Sequence, residues 1–231
     1  MHRGIRVAAT TTLVLAMFAA GGCALRPAQQ PAAKPFHMPA QAEVQTVALH
    51  AGDFVTADMR LYLPKGGRRV VGEVTLDQCG GHFPSEAARI ARRQMGVVVR
   101  GMVPGTGYSN EVVVYTGDAA AQALSELRAA TRACPTGRYL RSAVAGTPPL
   151  RYEILANHSN PARLPVHSGQ YILERLTARS GRSLYLAAVF QQKGDVLDGS
   201  YLVAVKRPSR ARIAELMREA RVTGTRLAQL P

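Results

Sequence analysis

Residues 109–134 have the sequence SNEVVVYTGDAAAQALSELRAATRAC, and this stretch decides the fold. Its valine-rich part, Glu111–Thr116, predicts a β-strand. Asp118 is a good N-cap, so we predict a helix from Ala119 to Ala133. Four residues recur at helical spacing and mark the buried face of this helix: Leu124, Leu127, Thr131 and Cys134. The helix is therefore expected to carry Cys134 to the core side.

The chain before this stretch predicts a partner strand and a preceding helix. Met95–Val103 is rich in valine and predicts a strand, which the loop Pro104–Asn110 connects to the next strand. Pro84–Gln94 begins with residues that start helices and is predicted as a helix. Arg69–Leu76 is predicted as a further strand, and Glu43–His50 is predicted as a short helix.

The C-terminal half predicts a second unit with the same order of elements. Ser183–Gln192 and Val196–Val205 form a hairpin, and Pro208 with Ser209 begins a last helix. The apolar residues of that helix predict its buried face: Ile213, Leu216 and Met217. Its charged residues are predicted to face water: Arg212, Glu215, Arg218 and Glu219. Two more strands are predicted before the hairpin: Leu150–Ala156 and Gln170–Ala178.

The order strand, strand, helix thus occurs twice, over Met95–Ala133 and over Ser183–Ala220. Adjacent strands followed by helices are typical of the α+β class. We therefore predict an antiparallel sheet with helices packed mainly on one face, built from two ββα-like units.

Residues 1–22 have the features of an export signal. Arg3 and Arg6 precede an apolar stretch, Val7–Ala20, that is shorter than the roughly 20 apolar residues of a spanning helix. The next residues, Ala-Gly-Gly-Cys23, resemble the lipobox of bacterial lipoproteins, in which the chain is cut before a cysteine that carries lipid. The alternative is an ordinary secretory signal in which Cys23 has no special role.

The lipid on Cys23 would hold the rest of the chain at a membrane. Residues 23–41 are rich in proline and alanine, a composition typical of a semi-rigid, extended tether. Residues 42–231 are predicted to form a single α+β domain at the extracytoplasmic face of the cell membrane.

The chain is strongly basic, with 29 Lys and Arg residues, 15 Asp and Glu residues and a formal net charge of +14. Loss of Arg3 and Arg6 with the signal would reduce +14 to +12. Export argues against nucleic acid as the partner, so anionic lipid headgroups and wall polymers are the expected counter-charges. The alternative is that the charge reflects genome composition, since 25 of the 29 basic residues are arginine.

Three cysteines are present. If Cys23 carries lipid, Cys79 and Cys134 remain as an even pair in an oxidising compartment, which predicts a disulfide between them. Two free thiols or a metal pair are the alternatives. No CxxC motif is present, and only His82 lies near Cys79 in the sequence.

The stretch that decides the fold also resembles a recurring sequence of actinobacterial envelope lipoproteins. Ser109–Pro135, with its strand, capped Ala-rich helix and terminal cysteine, is similar to the PknH-like extracellular sensor domain family. The hairpin Val189–Leu197 resembles that family as well, and the likeness extends over about residues 70–223. The resemblance implies an antiparallel sheet flanked by helices, with a cleft for an unidentified extracellular ligand and no established activity.

Catalytic and metal-binding motifs such as GxSxG, HExxH, Walker A and GxGxxG are absent from the sequence. His158 and His167 lie in a loop-like stretch and are interpreted as solvated histidines. Glu73 and Glu111 lie on or beside strands, where they could pair with arginines across the sheet. We therefore expect the protein to be non-enzymatic and to bind neither a metal nor a cofactor. The alternative is that it is a hydrolase.

Three arginines form the most suggestive cluster for a ligand. Arg89, Arg92 and Arg93 would share one face of the helix Pro84–Gln94 and could hold phosphate or carboxylate groups. The alternative is a solvated face in which Glu86 pairs with Arg89. In the loop Gly105–Asn110, Tyr108 could belong to a mobile contact surface, and the alternative is a plain hairpin connection.

The sequence thus favours a non-enzymatic envelope lipoprotein that binds or senses a small-molecule or anionic ligand. The alternative is a structural or interaction module that docks anionic wall polymers or another envelope protein through its basic surface. A deep apolar cleft with convergent polar groups would favour the first function, and a flat Arg-rich face would favour the second.

Overall fold

The computed structural model describes residues 39–54, 59–100, 106–161 and 164–231. Within these ranges the helices are α1 (Pro39–Val47), α2 (Ala119–Arg132) and α3 (Arg210–Gln229), with short 3-10 helices at Ala51–Asp53 and Pro84–Ala88. The strands are β1 (Met59–Tyr62), β2 (Arg89–Val99), β3 (Gly107–Tyr115), β4 (Leu150–Ser159), β5 (Ser168–Ala178), β6 (Ser183–Lys193) and β7 (Val196–Ala204). None of these helices is long and apolar enough to cross a membrane.

The strands form one antiparallel sheet in the order β1-β2-β3-β7-β6-β5-β4. The predicted α+β class is therefore confirmed. Both predicted units are present, as β2-β3-α2 and β6-β7-α3. Strands β3 and β7 pair with each other, with Val113 opposite Leu197, so the two units meet near the middle of the sheet.

Helices cover both faces of this sheet. Because successive side chains of a strand point to opposite faces, β3 contributes Val113 and Tyr115 to one core and Val112 and Val114 to the other. Helix α2 packs on the first of these faces. Helices α1 and α3 pack on the second, so two of the three helices share a face.

A buried polar network joins α3 to the sheet. Its centre is Asp198, which is fully buried on β7. Asn110 Nδ2 donates a hydrogen bond to Asp198 Oδ1 at 2.6 Å, and Thr223 Oγ1 donates one to Asp198 Oδ2, also at 2.6 Å. Gln191 Nε2 donates to the same Oδ2 at 3.2 Å. Since buried polar groups are costly unless they are hydrogen-bonded, this network fixes α3 in place.

The predicted helix Pro84–Gln94 is wrong beyond its first turn. A 3-10 helix ends at Ala88, and β2 begins at the next residue, Arg89. The reason is long-range, because the backbone of β2 pairs with β3 and places Arg92 opposite Val113. Sheet pairing has overridden the local helix signal.

The predicted strand Arg69–Leu76 is also wrong, and this segment is irregular. Gly72 has a φ of 83°, a left-handed conformation that interrupts an extended chain. The edge strand β1, four residues long, takes the outer position on β2 instead, with Leu61 opposite Val97.

The predicted helices at both ends are present with shifted limits. The short helix predicted over Glu43–His50 is α1, which begins at Pro39 and so includes the last residues of the predicted tether. The predicted signal, Cys23 and the tether up to residue 38 lie outside the described residues. Helix α3 begins after Ser209, whose Oγ accepts a hydrogen bond from Arg212 N at 3.4 Å.

The buried faces of α2 and α3 follow the prediction in part. Cys134 lies beyond the end of α2 and is only partly buried, as are Ile213 and Met217 on α3. In α2, Leu124, Leu127 and Thr131 are buried, although the Asp118 side chain forms no capping hydrogen bond. In α3, Leu216 is buried as predicted. Glu219, predicted to face water, is only 3% exposed, and this prediction is wrong.

Candidate functional site

A cleft with a volume of about 360 Å³ lies on the face of the sheet that carries α2. Strands β3, β5, β6 and β7 provide its floor, and the irregular segment Val74–Gln78 forms its roof. We call residues 74–79 the strap. Most of the lining is apolar and includes Leu127, Ile172, Leu186, Ala188, Phe190 and Val203.

A disulfide between Cys79 and Cys134 fixes the C-terminal end of the strap. The two cysteines that the sequence leaves as a pair thus lie at disulfide distance, with their Cα atoms 5.2 Å apart. Because α2 ends at Arg132, the bond attaches the strap to the chain just after this helix. In the chain-entropy treatment, closing a separation of 55 residues stabilises the folded chain by about 4 kcal/mol.

Hydrogen bonds hold the rest of the strap. Thr75 N donates to Glu86 Oε2 at 3.0 Å. Asp77 Oδ1 accepts a hydrogen bond from Ala143 N at 3.2 Å. These contacts place two polar strap residues, Asp77 and Gln78, against the sheet at one end of the cleft.

Glu174 lies on β5 below this end of the strap. It is completely buried, with a relative exposure of 0%. Gln78 Nε2 donates a hydrogen bond to Glu174 Oε2 at 2.6 Å, whereas Glu174 Oε1 has no hydrogen-bond partner among the described residues. Burial raises the pKa of Glu174 to about 7; the charge of Asp77 also raises it, and the Gln78 hydrogen bond lowers it. A buried carboxyl group with an open acceptor position marks this end as a candidate ligand site.

Glu111 lies on β3 at the other end of the cleft. It is 5% exposed, and Arg92 Nε donates a hydrogen bond to its Oε1, so the predicted pairing with an arginine across the sheet is present. Burial raises the pKa of Glu111 to about 7, while the charge of Arg92 acts in the opposite direction. Strands β7 and β6 separate β3 from β5, at roughly 4.8 Å per strand, so Glu111 and Glu174 do not form a carboxylate pair.

The charge of the cleft is opposite to that of the chain. The chain has a formal net charge of +14. The described residues that line the cleft include three carboxyl groups, from Asp77, Glu111 and Glu174, and no lysine or arginine. A ligand in the cleft therefore meets acidic and apolar groups.

The arginine cluster predicted from the sequence does not form one surface. Arg89, Arg92 and Arg93 lie on β2 and not on a helix, so Arg92 and Arg93 point to opposite faces of the sheet. Arg92 is 3% exposed, and its Nη1 donates to Gly66 O at 2.8 Å besides the bond to Glu111. The Arg89 side chain is 8% exposed and pairs with Glu86, as the alternative interpretation expected. The predicted helical face of three arginines is therefore wrong.

Tyr108 is not part of a mobile loop. It lies on β3 with a relative exposure of 3%. Its hydroxyl donates a hydrogen bond to Glu215 Oε2 on α3 at 2.5 Å, and burial raises its pKa. Tyr108 therefore attaches α3 to the sheet, and its predicted place on an exposed contact surface is wrong.

A second cavity, of about 710 Å³, lies where the end of α2 meets the edge strand β4. We call it the arginine groove, after Arg132, Arg151 and Arg175 in its lining. Arg175 pairs with Glu153, and the guanidinium carbon of Arg151 lies 6.0 Å from the ring centroid of Tyr139. The groove has no signal in the local sequence, because its arginines come from three separate elements.

Glu174 was not predicted as a site residue, although the sequence contains one signal for it. The predicted strand Gln170–Ala178 has apolar residues at most positions, and Glu174 lies on the same face as Ile172. A single acid on the inward face of a strand indicates a special environment, because a charge is rarely buried without a partner.

The two histidines considered for catalysis remain apart from nucleophiles. His158 lies on β4 and stacks on Tyr171, with ring centroids 5.9 Å apart. In the part of the chain that the structure describes, neither His158 nor His167 is hydrogen-bonded to a serine or cysteine. No group of three or more His, Cys, Asp or Glu side chains in the same ranges is placed to hold a metal ion.

Comparison with solved structures relates the fold to an extracellular domain. The chain is similar to the extracellular domain of PknH from Mycobacterium tuberculosis, with a TM-score of 0.52 and 9% sequence identity over 82% of this chain and 97% of that one. It also aligns with PA94, a protein of unknown function from Pseudomonas aeruginosa, at a TM-score of 0.32 and 12% identity over 76% of this chain and 97% of that one. No family model matches the sequence, and no curated protein is significantly similar to it. At this level of identity, the likeness to the PknH domain shows a shared fold.

Proposed function

We propose that this chain is a lipid-anchored, extracytoplasmic and non-enzymatic module that binds a ligand in the cleft under the strap. The observation that carries the proposal is the buried Glu174, whose Oε1 lacks a partner among the described residues and whose side chain lines the cleft. The cleft volume of about 360 Å³ lies in the range of small-molecule sites, about 300–1,000 Å³.

The extracytoplasmic location is supported by two independent observations. The chain shares its fold with a domain described as extracellular. The disulfide Cys79–Cys134 fits an oxidising compartment. Together with the predicted export signal of residues 1–22, they support a folded domain outside the cytoplasm that begins with α1 at Pro39. Lipid on Cys23 and a tether up to residue 38 complete the proposal.

The chemistry of the cleft supports the non-enzymatic part of the proposal. Its two buried carboxyl groups, Glu111 and Glu174, are too far apart to share a reacting bond. Glu111 is bonded to Arg92, and Gln78 is a neutral amide. Paired and neutral groups of this kind suit the holding and orienting of a ligand.

The experiment is a search for small molecules that remain bound to the purified full chain. The protein is extracted from membranes, washed and denatured, and the released compounds are identified by mass spectrometry. Leu186→Trp fills the cleft from β6 and should abolish retention. Leu184→Trp, two residues earlier on the same strand and 39% exposed, is the matched control and should retain the compound. Equal retention by both variants, or no retained compound in the wild type, would contradict the proposal.

The arginine groove favours a second candidate function, the docking of anionic wall polymers. Arg132 and Arg151 line this open groove, and Arg179 lies 4.8 Å from the ring of the neighbouring Tyr139. Under this candidate function, purified wall polymer should bind the wild type at low salt and dissociate at high salt. Arg151→Glu should weaken this binding, whereas Leu186→Trp should leave it unchanged. Salt-independent binding would contradict it.

A further inference from the structure

At the strap end of the cleft, one carboxyl oxygen of Glu174 lacks a hydrogen-bond donor among the described residues. Glu174 is completely buried, and only its Oε2 is satisfied, by Gln78. Its Oε1 has no partner among the described residues. A buried carboxylate oxygen without a donor is costly, so a bound donor at this position would stabilise the folded chain.

The surrounding charges indicate that this donor is a cation. The neighbouring strap residue Asp77 is also acidic, and its charge disfavours ionisation of Glu174. No lysine or arginine is among the described residues of the lining. A positively charged donor would bind Glu174 and reduce the repulsion between the two carboxyl groups, whereas an anion would increase it.

The remaining lining requires an apolar body next to the positive group. Ile172, Leu186, Ala188 and Val203 lie on the floor of the cleft, around the position of Glu174. Leu186 is the direct neighbour of Glu174 across the β5–β6 pair. An apolar group on this floor would be removed from water, which favours binding.

We infer that the cleft binds an amphipathic organic amine, whose ammonium group donates to Glu174 Oε1 and whose apolar body lies on Ile172, Leu186 and Ala188. This inference rests on the proposed ligand-binding function and specifies its ligand class. It is opposite to what the net charge of +14 suggests, namely an anion. The basic surface and the acidic cleft would then have separate partners.

The test compares three probes with the same apolar body and different head groups. Phenethylammonium, 2-phenylethanol and phenylacetate are titrated into the purified full chain at pH 8, and heat is measured by calorimetry. We expect phenethylammonium to bind about tenfold more tightly than the alcohol, a difference of about 1.4 kcal/mol. Both probes can donate to Glu174, and only the ammonium adds the attraction of opposite charges. Phenylacetate should bind most weakly.

Variants then assign the preference to one carboxyl group. Glu174→Gln keeps the shape of the side chain and should abolish the roughly tenfold preference for the ammonium probe. Glu153→Gln removes the same charge from an exposed position outside the cleft and should leave the preference intact. If Glu174→Gln does not fold, Leu186→Trp, which leaves the carboxyl group in place, should abolish binding of the ammonium probe.

The possible failures of the inference and of the proposed function are distinguishable. Equal affinity for the ammonium and alcohol probes, or tighter binding of phenylacetate, would overturn the inference while leaving a ligand-binding cleft. Absence of binding by all three probes would also overturn it. The proposed function is tested separately, by whether the wild type retains a compound that Leu186→Trp loses.

Discussion

Gln78 Nε2 donates a hydrogen bond to Glu174 Oε2 at 2.6 Å and so joins the strap to the sheet across 96 positions of sequence. Gln78 belongs to a segment without regular secondary structure, and Glu174 lies on β5. The shape of the cleft therefore depends on the position of the strap. The Gln78–Glu174 hydrogen bond holds the strap over the cleft and provides a donor for one of the two oxygens of the Glu174 carboxyl group.

The first prediction concerns this bond. Gln78→Ala leaves both oxygens of Glu174 without a partner and should lower the free energy of unfolding by about 1–3 kcal/mol, measured by urea denaturation at pH 8. Gln122→Ala, which removes an exposed amide bonded to Glu126 on α2, is the control and should cost less than about 0.5 kcal/mol. Equal stabilities of the two variants would show that the Gln78 bond contributes nothing.

The second prediction concerns the disulfide. Replacing both Cys79 and Cys134 by serine should lower the free energy of unfolding by about 3–5 kcal/mol, because the unfolded chain regains the freedom of the closed loop. Reducing agent should destabilise the wild type by a similar amount and leave the double variant unchanged. Mass spectrometry of a non-reduced digest should show the two cysteines joined, and alkylation of both thiols in the native protein would refute the bond.

The third prediction is a pH dependence of stability from Glu219. Burial raises its pKa from 4.5 to about 8, the charge of Glu215 raises it further, and Arg218 opposes this. Since the folded chain holds this proton more tightly than the unfolded chain, the stabilisation is complete below about pH 4.5 and is lost as the pH rises through about 8.

The free energy of unfolding of the wild type should therefore decrease between about pH 5 and pH 8. In Glu219→Gln this decrease should be smaller by roughly 2–4 kcal/mol, measured by denaturation curves. Part of the decrease should persist, because the pKa values of Glu111, Glu174 and Asp198 are raised as well. Glu153→Gln, at an exposed position, should keep the full slope. An unchanged slope in Glu219→Gln would contradict the burial of an unpaired carboxyl group.

The fourth prediction concerns the proposed anchor. Cys23→Ser removes the thiol that would carry lipid and should release the chain into the medium or leave uncleaved precursor, since stable membrane binding requires the acyl chains. Cell fractionation and the mass of the mature N-terminus measure this. The double serine variant of Cys79 and Cys134 is the control and should stay with the membrane. Retention of Cys23→Ser as a cleaved protein would refute the lipid anchor.

The sequence predicted the elements whose signals are local. Helix α2 was found because Leu124 and Leu127 recur at helical spacing and both are buried. The β6–β7 hairpin was found because two long, largely apolar strands flank a short turn at Gly194. Both ββα units followed from these patterns, and with them the α+β class.

The errors concern segments whose structure depends on distant partners. Residues 89–94 have the sequence Arg-Ile-Ala-Arg-Arg-Gln, which is compatible with a helix. Instead their backbone pairs with β3, and they form part of β2. That pairing also separates Arg92 from Arg93 and directs Arg92 to Glu111. Glu219 has the spacing of an exposed helical residue, yet the packing of α3 on the sheet buries it.

The sequence by itself determined the repeated ββα order and the basic charge, because each is a property of neighbouring residues or of composition. It also predicted an export signal that ends at Cys23 and a pair of remaining cysteines, and the export signal stays a prediction. Only the tertiary structure decided which face each strand residue takes and which groups meet in the cleft. Nothing in the sequence indicates that Gln78 and Glu174 are in contact. Their contact arises because the disulfide and the sheet bring distant segments together. Burial at this contact then raises the pKa of the Glu174 carboxyl group.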